Sequence, residues 1–275
     1  MHISALKIAK TFFDVYASGL TNATVVDIGA QNVNGSIKDV TPVHLKYVGV
    51  DFVTGPGVDV ILDDPYRLPF DNESVDIIVS SSCFEHSEMF WVLFLELLRV
   101  LKPSGLLYIN VPSNGNIHRY PVDCWRFYPD SGQALVNWAR RNNYEPLLME
   151  SFVGAQDGDA WNDFAAVFVK HQSYASGYSH RMINVKSDFT NGLLAGDEEL
   201  IKFKALTEDQ EKLAAQHQLL QQQEQQLQQK DRQIQDKDQQ IQGKEQMIHM
   251  MANSWSWKIT KPLRSMGMLL KRLKG

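Results

Sequence analysis

TVVDIGAQNVNGS, residues 24–36, and the run KYVGVD ending on Asp51 describe a strand, a tight turn and a second strand closing on an acid. The β-branched run stops at Gly29, a loop carries a second glycine at Gly35, and Asp51 lies 22 positions past Gly29. Such a unit cradles a nucleoside. Glycine lets the backbone approach the ligand, and the distant carboxylate accepts hydrogen bonds from both ribose hydroxyls. Which nucleoside it holds decides the function.

Outward from this unit, strand signals recur at VDVIL (58–62), VDIIVSS (75–81) and GLLYINVP (105–112), with a helical stretch EMFWVLFLELLRVLK at 88–102. Alternating strand and helix predict an α/β, doubly wound, largely parallel sheet. Before it, residues 1–19 form an amphipathic helix with Leu6, Ile8, Ala9, Phe12, Phe13 and Val15 on the buried side, not a signal peptide. After residue 128 come a helix at 129–142 and two strands, YEPLLMESFVG and DFAAVFVK, joined by a short polar connection at 154–162. A connection that short predicts an antiparallel pair at the end of the sheet.

The chain has 44% apolar residues and a net charge of −5. Residues 252–275 hold six cations and no acid, so the rest carries −11, which argues against a nucleic-acid-binding body. Cys83 and Cys124 are the only cysteines, with no CxxC pair. They fit a reducing compartment and exclude a cysteine zinc site. No metal is assigned. No run reaches 18 apolar residues, so a cytoplasmic protein without a membrane span is expected.

A dinucleotide fingerprint needs GxGxxG, whereas this loop runs Gly29-Ala-Gln-Asn-Val-Asn-Gly35 and has Asp27 inside the preceding strand. An acid there suits a cofactor that carries positive charge. Downstream follow Asp64-Pro65-Tyr66-Arg67-Leu68-Pro69-Phe70, then Phe84-Glu85-His86, then LRVLKPSGLLYINVP at 98–112. On these motifs, in this order, the chain resembles the class I S-adenosylmethionine-dependent methyltransferases, in the small-molecule, type 11 branch. The resemblance covers roughly residues 1–170 and implies a Rossmann-like sheet with a reversed final strand. It implies S-adenosylmethionine as cofactor, with Asp27, Gly29 and Gly35 along the methionine portion, Asp51 on the ribose and Asp64 on the adenine amino group. Pro65 departs from the pattern because it has no N–H for the adenine ring. Either Tyr66 supplies the donor or packing holds the base.

Methyl transfer needs an aligned acceptor and, for a hydroxyl, a base. Two histidines lie at the carboxyl edge of the sheet, His86 after the fourth strand and His118 in the segment 110–130. Arg119 and Arg126 offer a grip on an anionic acceptor, and Trp125 a stacking surface for a sugar. The competing reading has Trp125 and Phe127 plugging the sheet edge while the arginines pair with acids.

Residues 173–198 are rich in Ser, Gly, Asn and Tyr and read as a linker after a domain at 1–172. From 199 to 251 the composition turns to Gln, and Leu206, Leu213, Leu220, Leu227, Ile234, Ile241 and Ile248 recur at intervals of seven. This predicts a coiled-coil helix and a homo-oligomer, with half a seam because the companion row is polar. In 252–275, Leu263, Met266, Leu270 and Leu273 form a stripe beside Lys271, Arg272 and Lys274, with Trp255 and Trp257 upstream. A basic amphipathic helix of this kind lies on a membrane surface or docks on a partner. SWSWKITKPLR resembles C-terminal segments of bacterial proteins encoded with surface-polysaccharide glycosyltransferases, and the stalk-and-tail layout resembles chain-terminating O-antigen methyltransferases. Together these imply methylation of a cell-surface glycan or glycolipid acceptor at the inner membrane. The alternative is a catalytically idle scaffold that recruits glycosyltransferases.

Overall fold

The near-continuous apolar runs become strands buried on both faces, as a parallel core requires. The computed structural model describes residues 2–157 and 161–272, with side chains as far as 267. Helix α1 (Ile3–Phe12) continues through a π-helical turn at Phe13–Ala17. It is followed by β1 (Thr24–Ile28), β2 (Lys46–Asp51), β3 (Val60–Ile61), β4 (Val75–Ser81), α2 (Phe90–Val100) and β5 (Leu101–Asn114). Then come α3 (Ser131–Arg141), β6 (Leu147–Gly154), β7 (Asn162–Val169), the short α4 (Met182–Val185) and β8 (Phe189–Leu194). They form one sheet in the order β3-β2-β1-β4-β5-β7-β6-β8. The first five strands pair in parallel, and β7, β6 and β8 are added antiparallel. The expected Rossmann-like sheet with a reversed end is present.

Side chains alternate across the strands and divide the core in two. Val25, Ile77, Leu106 and Tyr108 face α1, whose Ile8, Ala9, Phe12 and Phe13 are buried against them. Val26, Ile78, Leu107 and Ile109 face the opposite layer of α2 and α3, which supply Phe94, Leu97, Leu98, Leu135 and Val136.

Residues 173–198 differ from the linker reading. Met182, Ile183 and Phe189 are buried in the α1-side core, and β8 pairs with β6, so this compact unit runs to Thr207. Three apolar side chains spaced too irregularly to show a period dock on the Phe152 face, and that packing recruits the segment. A separate unit begins with α5 (Glu208–Asn253), continues through α6 (Trp255–Ile259) and ends in α7 (Lys261–Arg272). All 46 residues of α5 are free of burial, and its heptad row from Leu213 to Ile248 is exposed. Arg264 lies 3.7 Å over the Trp257 ring. Leu270, Lys271, Arg272, Leu273 and Lys274 of the expected stripe lie outside the residues or side chains described. Among the described residues, no helix is long and apolar enough to cross a membrane.

Candidate active site

The sheet order reverses beside β1, where β2 lies on one side and β4 on the other, and the carboxyl ends of these strands open a crevice. A cavity of about 1000 Å³ fills it. One wall is the unit built by residues 24–51. Asp27 is 2% exposed, lines the cavity and accepts the Tyr47 hydroxyl at 2.6 Å. Burial pushes its carboxyl up to about 7; the Tyr47 bond opposes that rise and the Asp51 charge adds to it. Gly29 turns the chain at φ +82°, and a Cβ there would sit 2.7 Å from Cβ of Cys83, so only glycine closes this turn. Gly35, at φ +125°, also lines the cavity and donates its N–H to Asn32 Oδ1 at 2.9 Å. Asp51 ends β2 on the same wall, with Oδ2 accepting the Gln31 N–H and Oδ1 the Val53 N–H, each at 3.1 Å. Each oxygen keeps a further lone pair for a ligand.

Asp64 stands apart from these four. It is exposed, does not line the cavity, and its Oδ1 accepts the Tyr66 N–H at 2.8 Å. A carboxylate two residues before an amide closes a local turn, which orders little chain. The expected adenine acceptor thus lies off the cavity in this structure, and the substitute donor at Tyr66 is already engaged. The cavity wall here is apolar instead, with Phe52, Leu62 and Pro65.

The opposite wall is built by Phe84–His86, a 3-10 turn after β4, and by the segment after β5. That segment folds back over the turn: Cys124 and Trp125 both donate N–H to Glu85 O, at 2.8 and 3.2 Å. His118 is thereby set above Glu85. His86 donates Nδ1–H to Val122 O at 2.5 Å, while its Nε2 lies 3.7 Å from Glu85 Oε1. His118 places Nδ1 3.4 Å from Asp123 Oδ2 and Nε2 4.0 Å from the same Glu85 oxygen. Burial lowers the His86 imidazole and pushes the Glu85 carboxyl up to about 8. Arg119 is exposed and lines the same cavity.

Trp125 and Arg126 are absent from this wall, contrary to the substrate-binding expectation. Trp125 donates Nε1–H to Ser87 O at 2.9 Å and packs edge-on against Phe90 and Trp91. Arg126 grips Asp123 through both terminal nitrogens, at 2.6 and 2.9 Å, and also bonds the carbonyls of Asn116 and Trp125. That fork holds the Asp123 carboxyl well below the usual carboxylate range and clamps the loop. The plugging-and-pairing alternative describes both residues.

The cavity residues not singled out from the chain include Glu85, Trp161 and Asp163. Glu85 had a signal, its place beside His86. Trp161 and Asp163 had none, because they arrive only through β7 running antiparallel, which brings its start to the carboxyl edge, where Asp163 pairs with Pro112.

Sheet order and crevice together define a Rossmann-like fold with a reversed end. Residues 5–109 match the methyltransferase domain family. The chain is similar to an uncharacterized methyltransferase of Mycolicibacterium paratuberculosis, 31% identical over 169 residues, which are 55% of this chain and 60% of the relative. It therefore spans about 60% of the length of the relatives it matches over that region. A shorter match, 35% identical over 72 residues and covering 25% of this chain and 26% of the relative, is to the phthiotriol/phenolphthiotriol dimycocerosates methyltransferase of Mycobacterium leprae. Among solved structures, the chain resembles the Burkholderia thailandensis 1,6-didemethyltoxoflavin-N1-methyltransferase with bound S-adenosylhomocysteine. That likeness has a TM-score of 0.46 and 17% identity, covering 61% of this chain and 79% of that one.

Proposed function

We propose that residues 1–207 are an S-adenosylmethionine-dependent methyltransferase. The observation that carries this reading is the pair of carboxylates on neighbouring parallel strands, Asp27 and Asp51, lining one cavity on either side of the Gly29 turn. Asp51, oriented by two backbone amides, suits the paired hydroxyls of a ribose. Asp27 offsets the positive charge of the methionine end. Phe52, Leu62 and Pro65 hold the adenine by packing, without a carboxylate. The cofactor supplies a methyl group already activated by its sulfonium, so the protein's task is to align an acceptor and exclude water.

Titration calorimetry on the full chain tests this. S-adenosylmethionine should bind saturably, and Asp51→Ala should weaken it at least about tenfold, the loss expected for one charge-assisted hydrogen bond. Absence of binding overturns the cofactor assignment, and unchanged affinity in the variant removes Asp51 from the site.

The acceptor is a sugar or phosphate oxygen of a cell-surface glycan or glycolipid intermediate, bound at the wall of His86, His118 and Arg119. The cation of Arg119 at the cavity and the basic tail support an anionic, membrane-associated acceptor. Oligomers form through α5, and the tail holds the protein to the cytoplasmic face of the inner membrane or to a glycosyltransferase. A second reading, a catalytically idle scaffold, is favoured by the outward turn of Asp64. Turnover of methyl-labelled cofactor with a lipid-linked glycan extract separates them, since a scaffold transfers no label.

A further inference from the structure

Glu85 is 1% exposed, lines the cavity, and neither of its carboxylate oxygens has a hydrogen-bond partner among the described residues. A carboxylate taken out of water without a partner is costly unless a cation meets it. Two imidazoles approach it from one side. Oε1 lies 3.7 Å from Nε2 of His86 and 4.0 Å from Nε2 of His118, and one ligand atom from each of the three residues lies within 4.8 Å of the others. The rings meet edge-on with centroids 4.7 Å apart.

The orientation of His86 is set from behind. The Nδ1 of His86 faces the carbonyl of Val122, which can only accept, so its proton sits on Nδ1 and Nε2 carries the lone pair. His118 is held through its backbone, whose N–H donates to Asp123 Oδ2 at 2.7 Å, while its Nδ1 lies 3.4 Å from the same oxygen without hydrogen-bond geometry. A histidine whose far nitrogen donates to a carbonyl or carboxylate is the usual state of a metal-bound histidine. The Nε2 atoms of both rings lie within 4.0 Å of one oxygen of this buried carboxylate, which has no hydrogen-bond partner among the described residues.

We infer that Glu85, His86 and His118 hold a divalent first-row transition cation, and that its open side, toward the cavity, binds an oxygen of the methyl acceptor. Two nitrogens and one oxygen suit zinc- or manganese-type ions. Ligand atoms roughly 2.1 Å from such an ion stand about 3.0–3.4 Å apart, so each side chain closes by on the order of 1 Å or less. Three protein ligands leave at least one coordination position for the acceptor. His86 and His118, expected as bases from their positions in the chain, act instead as ligands, and the cation polarises an acceptor hydroxyl. The metal site stands on its own geometry; only its role toward the acceptor rests on the methyltransferase reading.

The test uses the full chain, stripped with a chelator and titrated with Zn²⁺ against a chromophoric competitor. The expected result is one saturable equivalent per chain, weakened at least about tenfold by His86→Ala, by His118→Ala and by Glu85→Gln. His171→Ala, at a half-exposed histidine paired with Glu145, leaves it unchanged. His118 is 34% exposed, so its variant remains informative if the Glu85 variant fails to fold. Absence of a saturable equivalent, or His118→Ala binding as tightly as the parent, overturns the site. S-adenosylmethionine affinity is measured on the same samples and stays unchanged in His118→Ala. Zinc binding without cofactor binding retains the site and removes the methyltransferase reading; cofactor binding without zinc does the reverse.

Discussion

Asp27 shows how far a single residue carries. Its place two positions before Gly29 pointed to a cationic ligand, but only burial beside Asp51 lifts its carboxyl to about 7. The bound cofactor's positive charge favours the ionised form, so affinity for S-adenosylmethionine should rise as pH climbs from 6 to 8. The same titration series on Asp27→Asn should be flat; a parallel slope in both proteins would remove Asp27 from the linkage. The sign for folding is opposite. The folded pKa lies above the unfolded value near 3.8, so the folded state holds the extra proton between about 4 and 7 and loses stability as pH rises through that window. Asp64, Trp125 and Arg126 mark the limit of such reasoning. Their residue types suit ligand binding, yet each found a partner within a few residues or on a packed neighbour, at Tyr66, Ser87 and Asp123 respectively. A side chain's partner is chosen by proximity in space, and a residue type does not encode that.

Among the elements, the helices and parallel strands follow directly from periodicity. The antiparallel end is different, because a buried acid organises it. Glu150 on β6 is fully buried and accepts the Tyr16 hydroxyl at 2.6 Å, the Met182 N–H at 2.6 Å and the Ile183 N–H at 2.9 Å. It thus ties the helical N-terminus, the start of α4 and the sheet together. Truncation to Ala strands three buried donors, so Glu150→Ala should cost the fold about 3 kcal/mol or more. Urea denaturation followed by near-ultraviolet circular dichroism measures this. A loss under about 1 kcal/mol would mean that α4 and β8 dock without it. The segment 173–198 looked like a linker because its apolar residues follow neither the helical nor the strand period, and docking on Phe152 needs only their positions.

For the whole molecule, the division at residue 207 separates a domain with its own core from a helical unit with no buried residue in α5. A helix of 46 residues, roughly 70 Å long, is stabilised in water mainly by packing its apolar row on something. Removal of 208–275 should therefore convert an oligomer to a monomer in light scattering, whereas equal masses would leave the row without a copy as its partner. Deleting 253–275 alone should move the protein from membrane to soluble fractions, and equal partitioning of the two proteins would dismiss the tail as an anchor. The chain by itself determined the alternation of strand and helix, the glycine turn with its two carboxylates, and the heptad row, because each rests on local geometry or on a fixed period. The tertiary structure alone decided which polar groups share a cavity. Trp161 and Asp163 reach it through an antiparallel pairing, and Glu85 meets two histidines 1 and 33 positions away because a loop folds back over its carbonyl. Contacts of that kind are set by strand order and chain reversal, which no period in the residues records.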